Sequence, residues 1–493
     1  MCTSAIAVAP RRPFILAACM LALFMSAVEA TIVATAIPSI VADLGGFALF
    51  GWVFAVYLLT QAVTVPIYGR LADLFGRRRV IFFGISLFLV GSALCGFAPS
   101  MLWLILFRAL QGLGGGAIMP VAMTIIGDIY APAERSKVQG YLSGVWGFAA
   151  VIGPLLGAFI VQHLSWSLVF WLNLPVGVAA LAMLAAFLPP SDVHRPHAID
   201  WRGAVLMVLA VGVLMVALLQ SSTLGWWTLA MLAVSAVFFA LLLAQERLAP
   251  EPMLPLGLWR NRTILAGNIG GLAIGASMMG ISAFLPTYIQ GVMQLDALAS
   301  GIVLAALSIG WPVASALSGR LVLATSYRTA AVLGGLLLVL GSFALVLLDP
   351  ARGMTWATTA AFVVGAGMGM SNSTFMVAVQ SAAAPNVRGI ATASTVFARM
   401  LGSSLGTALL GAVMNLSLAR GVSGFADPVQ TLMDVPARLA LPAAQRALLS
   451  DAVGTALHMV FVGGLVLAAM ALAVAWLMPA GVRPGHASEA PRL

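Results

Sequence analysis

Three ionisable side chains stand deep inside long apolar runs: Glu29, Arg108 and Arg399. A charge at bilayer depth is disfavoured by about 2.5–3.5 kcal/mol even on insertion scales, so each needs a function or a partner. Glu29 lies about eight residues from the outer end of the first run, and Arg108 about seven from the outer end of the fourth. At 1.5 Å per helical residue both sit roughly 10–12 Å below the same surface, and equal depth lets them pair. Two readings follow. The pair is a salt bridge that holds two helices together, or it is a proton site. Desolvation favours a neutral carboxyl and a nearby guanidinium favours a carboxylate, so helix movement that alters this balance would make Glu29 take up and release a proton. Arg399 has no acid within a neighbouring run; it lines a cavity or binds backbone carbonyls.

A second group lies between the second and third runs, in Gly69-Arg70-Leu71-Ala72-Asp73-Leu74-Phe75-Gly76-Arg77-Arg78-Arg79. Glycines let the chain turn and helix ends approach, while Asp73 and the arginines bridge neighbouring spans. Asp128, at the end of the fourth run, is a partner for Arg77. Such a cluster would lock one conformation until it breaks. In the fifth run Gly144, Gly153, Pro154 and Gly157 allow backbone-to-backbone contact and a proline kink. Gly112 and Gly116 read as ordinary packing.

The elements that hold these residues follow from composition. Of 493 residues 62% are hydrophobic and 8% charged, against about a quarter charged in soluble chains. Most of the surface therefore meets lipid, and the first run, from Phe14, is a span and not a cleaved leader, because many more follow. A helix needs about 20 apolar residues to cross the hydrocarbon. Fourteen such runs begin near Phe14, Phe50, Val80, Met101, Val138, Leu168, Gly203, Trp226, Thr263, Ser300, Thr329, Trp356, Ile390 and His458. With the N-terminus inside, 18 basic residues fall in cytoplasmic loops and 4 outside, the asymmetry expected of short loops.

Landmarks recur along the chain. Ile37-Pro38-Ser39 ends the first span and Leu285-Pro286-Thr287 the ninth. Gly69-Arg70-Leu71 returns as Gly319-Arg320-Leu321, Arg135 as Arg388, and Gly153 as Gly406. Spans 1–6 therefore repeat as spans 9–14, the arrangement of transporters whose halves enclose a midplane site. The expected fold is an all-α polytopic membrane protein of two six-helix bundles plus two inserted helices. Its parts are residues 1–190, a linker insert at 191–262, a second half at 263–480 with an outer loop at 421–457, and a cytoplasmic tail at 481–493. The Pro, Asp and Arg content of the outer loop suggests a short helical hairpin, which touches a partner, lines the outer mouth or merely connects.

These motifs carry a resemblance. The run at 69–79 looks like the signature loop of the major facilitator superfamily, and Arg108-Ala109-Leu110-Gln111-Gly112-Leu113-Gly114 resembles its fourth-span arginine motif. The Gly-Pro pattern of the fifth span resembles the motif of its antiporters. The stretches Glu29 to Pro38 and Trp166 to Gly177 are similar to motifs of the 14-helix drug–proton antiporter branch, of the EmrB/QacA type. The resemblance implies alternating access by two rocking halves, export driven by proton influx, and coupling through Glu29 and Arg108. It implies a cavity whose polar members include Gln61, Asn268, Ser371, Asn372 and Gln380, with Arg399 a further candidate. There are two departures: the first-span acid is glutamate where aspartate is usual, and Ala158 stands where a second glycine is expected.

Other classes are excluded on chemistry. A phosphate loop needs Gly-Lys-Ser/Thr, and the single lysine, Lys137, follows Ser136. Gly402-Ser403-Ser404-Leu405-Gly406 fits a nucleophile elbow only by letters, since it lies in a helical run without a strand or a companion histidine. Three cysteines in no metal pattern give neither a disulfide framework nor a metal site. The net charge of +9 is spread over loops with no basic patch for nucleic acid. The expectation is thus a monomer in a bacterial inner membrane with both termini cytoplasmic. It is not an enzyme, has no cofactor beyond the proton gradient, and has protons, lipid and a small hydrophobic substrate as partners. A periplasmic adaptor is left open. A proton-coupled transporter of a dedicated metabolite or siderophore is the alternative in the same fold.

Overall fold

Hydrocarbon offers no hydrogen-bond partner, so a chain this apolar must satisfy its backbone internally, and helices do so within one segment. The computed structural model describes residues 11–44, 50–189, 200–219, 225–250, 252, 256–295, 297–421, 428–433 and 435–479, and among them there are helices and no strands. The tail at 481–493 lies outside the described residues.

The first unit contains α1 (Arg12–Leu44), α2 (Phe50–Phe75), α3 (Arg77–Gly96), α4 (Met101–Ile129) and α5 (Pro132–His163). It continues with α6 (Ser167–Trp171), α7 (Asn173–Phe187), α8 (Trp201–Leu219) and α9 (Trp227–Leu248). Leu172 keeps helical backbone, so α6 and α7 form one span. The later elements are α10 (Arg262–Thr287), which runs into a π-helical turn (Tyr288–Val292), then α11 (Ala297–Ala324), α12 (Tyr327–Val346) and α13 (Gly353–Ala382). After them come α14 (Arg388–Gly421), α15 (Pro428–Met433), α16 (Val435–Ala440) and α17 (Ala443–Trp476). Two compact units result: residues 1–265 with 376–397, and residues 266–375 with 398–493.

Twelve helices among the described residues are long and apolar enough to cross a membrane. The fourteen read from the sequence are not reached by this measure. The two that fall short are α5 and α8, whose described apolar stretch is Trp201–Leu214. Three boundaries also differ. α1 runs past position 38 to Leu44, and the Pro38 side chain lies outside the described residues. Pro286 does not end its span: the α-helix runs to Thr287 and the chain continues directly into the π turn. The outer loop is shorter than expected: α15 and α16 are brief, while Ala443 to Leu457, rich in Ala and Leu, already belongs to α17. Residues 422–427 and 434 lie outside the described set.

Inside each unit the same kind of contact recurs. In the first, Gly112 presses on Tyr57 of α2, Gly114 on Phe88 of α3 and Gly153 on Thr31 of α1. In the second, Gly365 presses on Leu307 of α11, Gly367 on Leu338 of α12 and Gly406 on Ala276 of α10. Each member of the second set follows its counterpart by 253 positions. Without a hydrophobic drive between helices in lipid, close backbone contact supplies the packing, and small residues permit it.

Gly91 gives the sharpest test of this packing. A Cβ there would stand 2.6 Å from both the backbone N and the Cα of Gln111, atoms that cannot turn aside. Gly91→Ala is therefore expected to push α3 off α4 and destabilise the first unit by about 1–3 kcal/mol. Thermal unfolding of the purified protein in detergent measures it. A midpoint equal to that of the unsubstituted chain would contradict this packing.

Candidate functional site

The buried charges of the first unit lie together. Glu29 on α1 is 0% exposed and Arg108 on α4 is 1% exposed. Arg108 Nη1 donates to Glu29 Oε1. The guanidinium has further partners: Nη1 donates to Gln111 Oε1 at 2.7 Å, and Nε donates to the Val53 carbonyl of α2 at 3.1 Å. It also lies 4.2 Å from the centre of the Tyr57 ring, a position that attracts a cation. The other carboxylate oxygen, Glu29 Oε2, accepts from Asn173 Nδ2 on α7 at 2.5 Å. Asn173 also donates to Ser92 Oγ of α3 at 2.9 Å, and Ser92 donates to the Phe170 carbonyl at 2.8 Å. Five spans thus meet at one carboxylate–guanidinium pair.

This geometry has a chemical consequence. A buried ion pair that loses one charge normally leaves the other stranded, at roughly 3–5 kcal/mol. Here Arg108 keeps a side-chain amide, a carbonyl and an aromatic face whether Glu29 is charged or neutral. Glu29 can therefore carry a proton without emptying the site of partners.

The sequence reading named Glu29 and Arg108 but gave no role to Gln111, Asn173 or Ser92. The available signal was polarity: Asn173 is an amide inside the run Leu168 to Phe187, and Gln111 follows Arg108 by three residues, on the same helix face.

The second group gathers at the junction of α2 and α3. Gly76, with φ 89°, makes a turn that a side chain would strain. Asp73 Oδ1 accepts from the Gly389 amide at 2.9 Å, and Oδ2 from the Ile390 amide at 2.8 Å. These are first-turn N–H groups of α14, which have no partner within their helix, and an anion also suits that end of the helix dipole. Gly69 lets α2 approach closely, since a Cβ there would strike Ala393 of α14. Arg77 bonds Asp73 Oδ1 at 2.8 Å, Asp128 Oδ2 at 3.0 Å and the Pro385 carbonyl at 2.8 Å. Arg388, known from sequence only as the counterpart of Arg135, donates to Asp128 Oδ1 at 2.6 Å and to the Gln380 carbonyl at 3.0 Å. Residues 376–397 count with the first unit through this network.

The remaining candidates separate. Gln380 donates to the Met123 carbonyl at 3.0 Å, and Gln61 lies on α2 beside Gly115 of α4, both in the first unit. Asn268, Asn372, Ser371 and Arg399 belong to the second unit, where the Arg399 carbonyl packs against Gly275. In the fifth span Gly153 is a tight contact with Thr31, whereas Gly144 is not: a Cβ there would meet nothing within 4 Å. Gly157 is buried, and the Pro154 side chain lies outside the described residues. Among the described residues there is no group of three or more His, Cys, Asp or Glu side chains that could hold a metal ion.

Twelve helices of membrane length among the described residues, with a buried acid–arginine pair inside the first unit, define a polytopic helical membrane protein of transporter type. The chain belongs to the Major Facilitator Superfamily, whose family model matches residues 19–407. It is 36% identical to Multidrug resistance protein 3 of Bacillus subtilis, over 81% of this chain and 79% of that one. It is also 36% identical to the Multidrug transporter protein MdtP of the same organism, over 88% of this chain and 81% of that protein. Among solved structures, the human organic anion transporter MFSD10 (TETRAN) matches with a TM-score of 0.63. That likeness covers 93% of this chain and 99% of the other at 14% identity, and it concerns the fold alone.

Proposed function

We propose that this chain is a proton-coupled antiporter that exports lipophilic compounds by alternating access, with Glu29 as the proton carrier. The observation that carries the reading is the Glu29 site, where the guanidinium retains neutral partners when the acid is protonated. The relatives' names, both of multidrug transporters, support the export of drugs. In this reading the Asp73–Arg77–Asp128–Arg388 network holds one conformation and breaks in the other. The inner-membrane location, the cytoplasmic termini and the monomeric state belong to the same proposal.

Fourteen spans remain part of it. α5 has 32 residues and lies along α1, while α8 has 19 and pairs with α9. At 1.5 Å per residue even the shorter is about 28 Å long, close to the hydrocarbon thickness.

The test is ethidium efflux from energised cells that express the chain, with a vector control. Accumulation below the control, restored by an uncoupler, is the expected result. Efflux that survives the uncoupler would remove proton coupling. Accumulation above the control would reverse the direction and make the chain an importer.

A further inference from the structure

A cavity of about 600 Å³ opens at one end of the second unit, lined by Tyr288, Asp349 and the first turns of α17. His458 of α17 stands at its edge with an unusual pair of contacts. Nδ1 lies 2.9 Å from the Gly454 carbonyl, and Nε2 lies 2.9 Å from the Leu348 carbonyl. A neutral imidazole has one N–H and one lone pair, so in either tautomer one contact would set lone pair against lone pair. An imidazolium donates in both directions. The Leu348 carbonyl also accepts from the Tyr288 hydroxyl at 2.9 Å. A single oxygen at the end of α12 thus ties the π turn to α17.

The backbone around this oxygen is irregular in two places. Tyr288–Val292 is π-helical, and Gln294, which also lines the cavity, has φ 55°, the one positive value on a non-glycine residue among those described. Such conformations persist where their surroundings hold them, and they gather at working sites. The charged groups that face the cavity are Asp349, Arg446 and Asp451, with Tyr288 the remaining titratable group beside the ring. Phe461 and Tyr288 meet the imidazole edge-on, at centroid distances of 6.4 and 5.6 Å.

We propose that His458 is a proton-binding site distinct from Glu29, and that a proton taken from water in this cavity completes the tie between α17 and the ends of α10 and α12. The Gly454 contact stays within one helical turn, whereas the Leu348 contact crosses between elements. Loss of the proton turns one nitrogen into an acceptor facing a carbonyl, so either the ring turns or the crossing contact opens. In the topology proposed above this end faces outward, where driving protons arrive; that clause rests on the export reading, and the site itself does not.

Nuclear magnetic resonance of the full chain, labelled with ¹⁵N-histidine and held in lipid nanodiscs, tests this, with His458→Gln assigning the signal. At pH 6 both His458 nitrogens are expected to carry protons, and at pH 8.5 only one. Hydrogen exchange at the amides of residues 349, 351 and 352, corrected for intrinsic pH dependence, is expected to rise several-fold over the same interval. In His458→Gln it should be high throughout. Tyr288→Phe, which removes one donor and no charge, should leave His458 doubly protonated at pH 6. A ring with a single N–H at pH 6, or exchange that is the same at both pH values, overturns the proposal. Neither readout measures transport, so a chain that extrudes nothing would leave this site standing, and its failure would leave Glu29 untouched.

Discussion

Glu29→Gln is expected to reduce efflux to the level of cells without the protein, while the chain still reaches the membrane and remains folded. Glutamine keeps the side-chain length and a carbonyl that accepts from Arg108, while its NH₂ group replaces the oxygen that accepts from Asn173, so that one contact is lost unless the Asn173 amide turns over. The group cannot ionise, so the proposed cycle loses its proton carrier. The stability change is expected to stay below the roughly 3–5 kcal/mol of a broken buried pair. Gln111, Val53 and the Tyr57 ring still surround the guanidinium. Arg108→Gln provides the contrast: it removes the opposite charge but leaves an acid that protonation can neutralise, so it should unfold little more readily than Glu29→Gln. Thermal unfolding separates loss of fold from loss of coupling, and efflux is read with and without uncoupler. If Glu29→Gln still extrudes ethidium against its gradient, and the uncoupler still stops it, the proton travels elsewhere and the pair is structural.

Much of this site was legible because lipid makes charge conspicuous. Glu29 and Arg108 stand out in apolar runs, and counting residues from span ends puts them at one depth without coordinates. Neutral partners are harder to read. Asn173 and Ser92 meet the pair through tertiary contacts, and nothing in their own spans points at α1. Gly144 differs from Gly153, since a Cβ at Gly153 would strike Thr31 while one at Gly144 would meet nothing within 4 Å. Helix ends were the other weak point. Proline was read as a stop at 286, yet a π turn carried the helix through, and the polar first turns of α17 were read as loop. Arg388 was legible only as the counterpart of Arg135, because its partner Asp128 lies 260 positions away.

The junction around Asp73 yields the second large effect. Asp73→Asn retains one acceptor oxygen, so one of the two α14 amides, Gly389 or Ile390, would face an NH₂ group and lose its partner. A buried donor left unpaired costs about 1–3 kcal/mol. The lost charge at the helix N-terminus adds roughly 0.3–1 kcal/mol, up to about 2 in buried geometry. Arg77 also exchanges a carboxylate for a neutral oxygen, although Asp128 and the Pro385 carbonyl still hold it. The sum is about 1–5 kcal/mol lost from the conformation in which α2 meets α14. Asp73→Glu should not rescue it, because a further methylene has no room where Gly389 lies against the Gly69 carbonyl and the Asp73 carboxylate. Arg79→Ala is the control: its side chain is exposed, and removing it takes one positive charge from the same loop. Thermal unfolding in nanodiscs, together with labelling of a cysteine placed at Ala393, reads the effect, since a parted junction exposes that position to a water-soluble maleimide. Faster labelling and a lower midpoint in Asp73→Asn, with Arg79→Ala unchanged, are expected. Equal behaviour of the two variants would mean that the loop acts through its positive charge alone, and that Asp73 does not hold α14.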